Sequence, residues 1–325
     1  MSKQASSDTY NPPMGGIFAY IPSSCVPYLE VVRLHPPLRI PMVILCLMIG
    51  LAYGASVTSP TLPITEVLKR AFYLNTSAFI ITGALTLFSN VVNAKFDEED
   101  PRTRFHPIAR GAISRLQVLA FSGAMLVLGL SLLAYLPVKP YIWAITTTLT
   151  MTDYPFLKGD TDTPWRDSGF GYVFAVWQGM ATAGFCIFPW SSLCYSAIHL
   201  GGSSISLIML LQTIHSFHDV REDARAGRKT LPILLGHRAK PCLFGLTFLL
   251  ESQLMVLGWQ SGFSSVYYLC CGALFFVLSA MLVLVDLRIP ADCIRWSQRG
   301  ALWSLAAISL GIFAEYLLRA GSFSS

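Results

Sequence analysis

The sequence has little charge. Asp, Glu, Lys and Arg make up 13% of its 325 residues, about half the roughly 25% typical of a soluble globular protein. That deficit excludes a fold whose whole surface faces water. Metal-binding cysteine spacing is missing as well. The eight cysteines stand singly or as the neighbours Cys270 and Cys271, most of them in apolar runs, where they read as small buried hydrophobes. His35, His106 and His237 have no second His or Cys pair nearby, which argues against a zinc site. Residues 1–24 are polar and rich in Pro and Gly, without the apolar core of a cleavable signal. The first apolar span is therefore expected to act as the insertion signal.

What the sequence does have is hydrocarbon. Hydrophobic residues make up 54% of it, with a mean hydropathy of +0.55. Apolar stretches near 20 residues recur, and about 20 helical residues cross roughly 30 Å of bilayer core. Nine spans are expected, at 40–57, 72–93, 116–136, 140–156, 168–190, 195–217, 241–259, 264–286 and 301–318. The fold class is all-α, a polytopic membrane protein. Counted on alternate sides of these spans, 19 of the 23 Lys and Arg residues fall on one side, and only Lys69, Arg70, Lys139 and Arg319 fall on the other. The positive-inside bias then predicts a cytoplasmic N-terminus and cytoplasmic connections at 94–115 and 218–240. The net charge of +5 follows from this topology and carries no nucleic-acid footprint. The expected organisation is a cytoplasmic tail over 1–35, one transmembrane domain over 36–319 and a short tail over 320–325.

Chemistry concentrates in the charged connections. In "FHDVREDARAGRKTLP", Asp219 and Asp223 are four residues apart and share a helix face. Two carboxylates so placed repel unless a cation lies between them, and Mg2+ takes carboxylate oxygens while keeping water or phosphate oxygens as its other ligands. Arg221, Arg225, Arg228 and Lys229 follow closely and can neutralise phosphate charge. A solvated helix end with local ion pairs fits the same residues. In "SNVVNAKFDEEDPRTRFHPIARG", Asn93 lies four residues before Asp97 and shares its face, with Asn90 a turn or two before Asp97. An amide oxygen can ligate Mg2+ without neutralising it. Glu98, Glu99 and Asp100 can pair with Arg102 and Arg104 or supply ligands. In "DYPFLKGD", Tyr154 and Lys158 are four apart. The lysine can meet a phosphate, and the tyrosine can donate a hydrogen bond or face a carbocation with its ring. Ordinary interfacial anchoring fits this pair equally. Glu251 and Glu315 fall inside spans without an obvious basic partner, and each is expected to be satisfied by hydroxyls or to lie near a span end.

Together these stretches resemble the UbiA superfamily of intramembrane prenyltransferases. Its first signature, NDxxDxxxD, falls on Ser89, Asn90, Asn93 and Asp97; its YxxxK on Tyr154 and Lys158; its second, DxxxD, on Asp219 and Asp223. The N-terminal "YNPPMGGIFAYIPSSCVPYLEVVRLHPPLR", "RIPADCIRW" and "SLGIFAEYL" look like the fungal meroterpenoid branch that prenylates aromatic acids, so the resemblance covers nearly the whole chain. It implies about nine helices around a central cavity opening to the cytoplasm, with Mg2+ as cofactor. The implied metal ligands are Asn93, Asp97, Asp219 and Asp223, and the two acidic helix ends are expected to converge on one Mg2+ and its diphosphate. Substrate contacts fall to Arg33, Asn90, Asn93, Arg102, Arg104, Arg228 and Lys229, and catalytic roles to Tyr154, Lys158, Asp219 and Asp223. The implied partners are a prenyl diphosphate and the lipid bilayer, with no nucleic acid, and the expected location is the endoplasmic reticulum membrane.

The chain departs from the family where acceptor and metal are anchored. Asn90 and Asn93 stand where the family has Asp, Pro36 where it has Lys, and Trp165 follows Pro164. The family ionises an allylic diphosphate, and the cation then meets an acceptor or its own distal double bond. Lost anchors, with Trp177, Gln178 and His215 added inside spans, tip the expectation toward cyclisation of farnesyl diphosphate to a terpene. Prenyl transfer to a small aromatic acceptor is the alternative. A transporter with an acidic gate is a third class, but transporters bind near the midplane, and these acids cluster at one membrane face.

Overall fold

The structure is a computed structural model that describes residues 20–31, 39–99, 105–136, 140–160, 164–185, 192–225 and 230–322. Among the described residues all regular structure is helical. The long helices are α2 (Arg39–Val57), α3 (Ile64–Glu99), α4 (Arg115–Leu132), α5 (Tyr141–Asp160), α6 (Pro164–Thr182), α7 (Ser192–Ser216), α10 (Ala239–Ser261), α11 (Ser265–Leu284) and α12 (Pro290–Ser322). Short helices are α1 (Val26–Val31), α8 (Val220–Arg225) and α9 (Leu231–Leu235). Among the described residues six stretches are long and apolar enough to cross a membrane: Ile64–Ala94, Arg115–Tyr135, Tyr195–Arg225, Leu231–Ser261, Ser265–Leu284 and Pro290–Gly321. Met42–Val57 is apolar but shorter. The chain is a polytopic all-α membrane protein. Each of the nine expected spans overlaps a described helix, while six carry the full length and apolarity of a crossing.

The helices outrun the apolar windows because hydropathy stops at a charge and a helix need not. α3 begins at Ile64, eight residues before its expected span. Its extra turns hold Glu66, which pairs with Lys69 and Arg70 at the i,i+3 and i,i+4 spacings that helices favour. α12 likewise starts at Pro290, where a missing N–H costs nothing. α6 stops eight residues early, at Thr182. Gly184 takes φ +93°, and Phe185 N–H closes onto Met180 O at 3.1 Å.

Contacts divide the chain into two compact units: Met1–Pro37 with Thr82–Val127, and Leu38–Ile81 with Leu128–Ser325. In the larger unit α2 and α6 cross at backbone contact. A Cβ on Gly50 would lie 1.9 Å from Val176 O, and one on Gly179 would lie 2.1 Å from Leu47 O. Gly50 and Gly54 form a GxxxG on α2, facing Gly179 and Ala183 on α6. This small-residue seam lets helices pack closely where lipid offers no hydrophobic drive. α10 ends in a Schellman turn. Gly262 at φ +63° lets Phe263 N–H reach Gly258 O at 2.9 Å, and Phe263 tucks under Tyr53 and Tyr267. Ser264 then caps α11, accepting from Val266 N–H.

The smaller unit packs Val31, Leu87, Ala94, Ile108, Ile113 and Val118 into a core of its own. α4 opens on a capping box, in which Ser114 Oγ accepts from Gln117 N–H at 3.2 Å and Gln117 Oε1 accepts from Ser114 N–H at 3.0 Å. This exchange satisfies two donors that a helix start leaves open.

Candidate functional site

In the larger unit, α7 carries its apolar face to Ser216, then tightens into a 3-10 turn, Phe217–Asp219, and resumes as α8. Asp219 and Asp223 thus ride one nearly continuous helical path, as their spacing predicts. Phe217 pins the turn by packing with Ala239 of α10 and Cys293 of α12. His215 pins it again, with its Nδ1 3.2 Å from Ser297 Oγ of α12. The Ser297 hydroxyl donates to Ile294 O at 2.9 Å, so the imidazole donates to Ser297. The side chain of Asp219 is 44% exposed and meets His218 Nε2 through Oδ2 at 2.9 Å. Arg221, Glu222 and Arg225 are exposed. Two carboxylates at the mouth of a membrane-length helix form a donor set for a hard divalent cation, and adjacent guanidinium groups suit phosphate. Among the described residues no cluster of three or more His, Cys, Asp or Glu could hold a metal. A cation here would keep water or phosphate oxygens as most of its ligands.

In the smaller unit, Asn90 is buried and its Nδ2 donates to Val31 O at 2.7 Å. This closes the carbonyl end of α1, so part of the amide is committed to structure. Asn93 Nδ2 lies 3.3 Å from Ser89 Oγ, placing the two one turn apart on a single face of α3. Asp97 lies on the last turns of α3, and its side chain falls outside the described residues. Arg110 forms a largely buried pair with Glu30 at 2.6 Å and donates to Phe105 O at 2.8 Å. Glu98 meets Arg115 at 3.3 Å; Arg102 and Arg104, expected to pair with it unless it supplies ligands, lie outside the described residues. Part of this charged connection therefore fastens α1 and the start of α4 to α3.

Tyr154 and Lys158 both lie on α5, with side chains outside the described residues. Arg33, Arg102, Arg104, Arg228 and Lys229 also lie outside them. Three substitutions read as signs of cyclisation have packing roles. Trp177 Nε1 donates to Ala197 O at 2.9 Å, joining α6 to α7, and its ring meets Trp143 edge-on at 5.0 Å. Gln178 is buried, and His215 holds Ser297.

At the other end of the larger unit, charge is absorbed internally. Arg319 donates to Ser56 O at 3.1 Å, Ser261 O at 2.5 Å and Gly262 O at 3.1 Å, and lies over the Phe263 ring. Glu315 is 2% exposed and accepts from Ser264 N–H at 3.0 Å and from the Ser264 hydroxyl, as expected of an acid near a span end. Glu251 departs from that expectation. It lies mid-helix in α10, and both its carboxylate oxygens are buried without a hydrogen-bond partner among the described residues. Sequence reading also missed His218, although an HxxH ending on an acid, "HSFHD", was there to find.

The UbiA prenyltransferase family matches residues 42–306. A polyprenyl transferase of Penicillium brasilianum is 28% identical over 255 residues, 78% of this chain and 79% of its own. A DMOA farnesyltransferase of Aspergillus novofumigatus is 24% identical over 307 residues, 94% of this chain and 96% of its own. A UbiA homolog from Aeropyrum pernix K1 aligns at TM-score 0.66 and 16% identity, covering 83% of this chain and 98% of that one. A UbiA homolog from Archaeoglobus fulgidus, solved bound to GPP and Mg2+, aligns at TM-score 0.60 and 15% identity, covering 91% and 99%. The structural likeness establishes the fold. These sequence relatives carry the names of transferases, which favours the alternative, prenyl transfer, over the cyclase reading.

Proposed function

As the chain belongs to the UbiA prenyltransferase family, we propose that it is a Mg2+-dependent membrane enzyme moving a prenyl group, of farnesyl length, from its diphosphate onto a small aromatic acceptor. The observation that carries this reading is the acidic end of α7 and α8, where Asp219 and Asp223 stand four apart at the close of a membrane-length helix. The relatives support transfer over cyclisation, since the DMOA farnesyltransferase aligns with 94% of this chain.

The roles follow from chemistry. Asp219 and Asp223, with Asn93 and Asp97, are assigned to the metal; when bound, Mg2+ stabilises the charge that develops on the departing diphosphate. Arg33, Asn90, Asn93, Arg102, Arg104, Arg228 and Lys229 are assigned to the substrate, where guanidinium and ammonium groups suit phosphate oxygens. Lys158 serves the phosphate end, and Tyr154 offers a hydrogen bond or a ring face to the allylic cation. Apolar helix faces keep water from that cation, which would otherwise be captured as an alcohol. The allylic C–O bond breaks, a ring carbon of the acceptor bonds to the freed carbon, and the ring loses a proton. The bias of 19 among 23 Lys and Arg residues supports a cytoplasmic N-terminus, and we assign the enzyme to the endoplasmic reticulum membrane.

The test is direct. Microsomes containing the protein receive farnesyl diphosphate and Mg2+, with and without a panel of phenolic acids. A prenylated phenol formed only when acceptor is present is the expected result. A volatile hydrocarbon released from farnesyl diphosphate alone would overturn transfer in favour of cyclisation.

A further inference from the structure

His218 lies beside the proposed metal ligand, and both of its ring nitrogens are engaged. Nδ1 is 2.6 Å from His215 O, and Nε2 is 2.9 Å from Asp219 Oδ2. A carbonyl and a carboxylate can only accept, so in each contact the donor is the ring nitrogen, and the bond is made by whichever nitrogen carries the proton. The carbonyl lies where α7 ends at Ser216 and the chain tightens into a 3-10 turn, and a carbonyl oxygen has two lone pairs with which to accept. The residue supplying that carbonyl is itself fixed, since the His215 side chain holds Ser297 of α12 and its ring lies 4.7 Å from that of His218. A connected path runs from α12 through His215 and His218 to one oxygen of Asp219.

We infer that His218 is a positioning residue: it ties Asp219 Oδ2 to the end of α7 so that the carboxylate presents itself to the divalent cation in one orientation. This rests on the assignment of Asp219 to the metal proposed above. Bond partners of a ligating group fix its direction, and removing them commonly lowers metal affinity or activity about 10- to 100-fold.

Two conservative replacements separate the two hydrogen bonds. His218→Asn puts an amide where Nδ1 is, keeping the bond to His215 O and losing Asp219. His218→Gln puts its amide where Nε2 is, keeping Asp219. Full-length enzyme in microsomes is assayed for prenyl transfer against Mg2+ concentration, with His218→Ala and Asp219→Ala alongside. The expected result is a half-saturating Mg2+ concentration raised about 10-fold or more in Ala and Asn, near wild type in Gln, with turnover at saturating Mg2+ altered far less. If Asp219→Ala is inactive while Ala and Asn at 218 leave the Mg2+ dependence unchanged, the positioning role is wrong and the metal assignment stands. If Asp219→Ala turns over normally, the assignment beneath it fails. Should His218→Ala not accumulate, the Asn and Gln pair decides alone, because only the bond to Asp219 distinguishes them.

Discussion

The two ends of the larger unit hold charged residues to opposite purposes. At one end Arg319 closes the carbonyls of α2 and α10, and Glu315 closes the start of α11. Each charge there completes a helix terminus that would otherwise leave polar groups unmatched in a low-dielectric setting. At the other end Asp219 remains 44% exposed, and Arg221, Glu222 and Arg225 are exposed as well. Packing of Phe217 with Ala239 and Cys293, and the His215–Ser297 bond, hold the backbone there. Exposed charged groups at the end of a helix are those an enzyme can turn toward a ligand.

The comparison predicts that activity and stability separate by end. The largest effect is expected at the acidic end. Asp219→Ala or Asp223→Ala should lower turnover about 100-fold or more, the scale of losing one stabiliser of transition-state charge, while expression and the unfolding midpoint in detergent stay near wild type. Activity is read as prenyl transfer in microsomes, stability as thermal unfolding of purified protein. Near-normal turnover in both variants would leave the acidic end without its proposed role. A smaller effect, of opposite character, is expected at the other end. Arg319→Ala removes the donor to three backbone carbonyls, two in part-buried bonds and the third, Gly262 O, exposed; a buried acceptor left unmatched costs about 1–3 kcal/mol at most. Its unfolding midpoint should fall while the Mg2+ dependence of surviving enzyme is unchanged. A shifted Mg2+ dependence with an unmoved midpoint would break the comparison.

Much of this contrast was written in local sequence, and some of it was not. The DxxxD spacing put Asp219 and Asp223 on one face, and the helical path of α7 and α8 carries it. The GxxxG of α2 was visible as a string, but its partner seam on α6 depends on which helices neighbour each other, which no single stretch encodes. Arg319 reads as a lone interfacial cation until α2 and α10 end beside it. Asn90 reads as a substrate contact standing where the family has Asp, yet its amide nitrogen donates to Val31 O, 59 residues away. Trp177 and His215 looked like wall residues of a changed cavity, and long-range bonds to Ala197 and Ser297 give them another reason to be there. In each case pattern fixed the face of a helix, while contacts far along the chain fixed what that face met.

The smallest predicted effect lies at Asn93, which extends the comparison to the other acidic helix end. Ser89, Asn93 and Asp97 recur every four residues along α3, so they share a face, and only Asp97 among them is charged. Asn93→Asp adds a carboxylate oxygen in nearly the same volume. Its tie to Ser89 survives because the hydroxyl, now 3.3 Å from Asn93 Nδ2, can donate instead of accept. Affinity for a hard cation rises with the charge count of its ligands. Half-saturation by Mg2+ should therefore fall, by about 3-fold for one added partial contact, with turnover at saturation little changed. An unchanged or raised half-saturating concentration would remove Asn93 from the metal. The α3 end would then resemble the Arg319 end, its polar residues serving the fold, and Asp219 and Asp223 would carry the cation with fewer protein ligands than proposed.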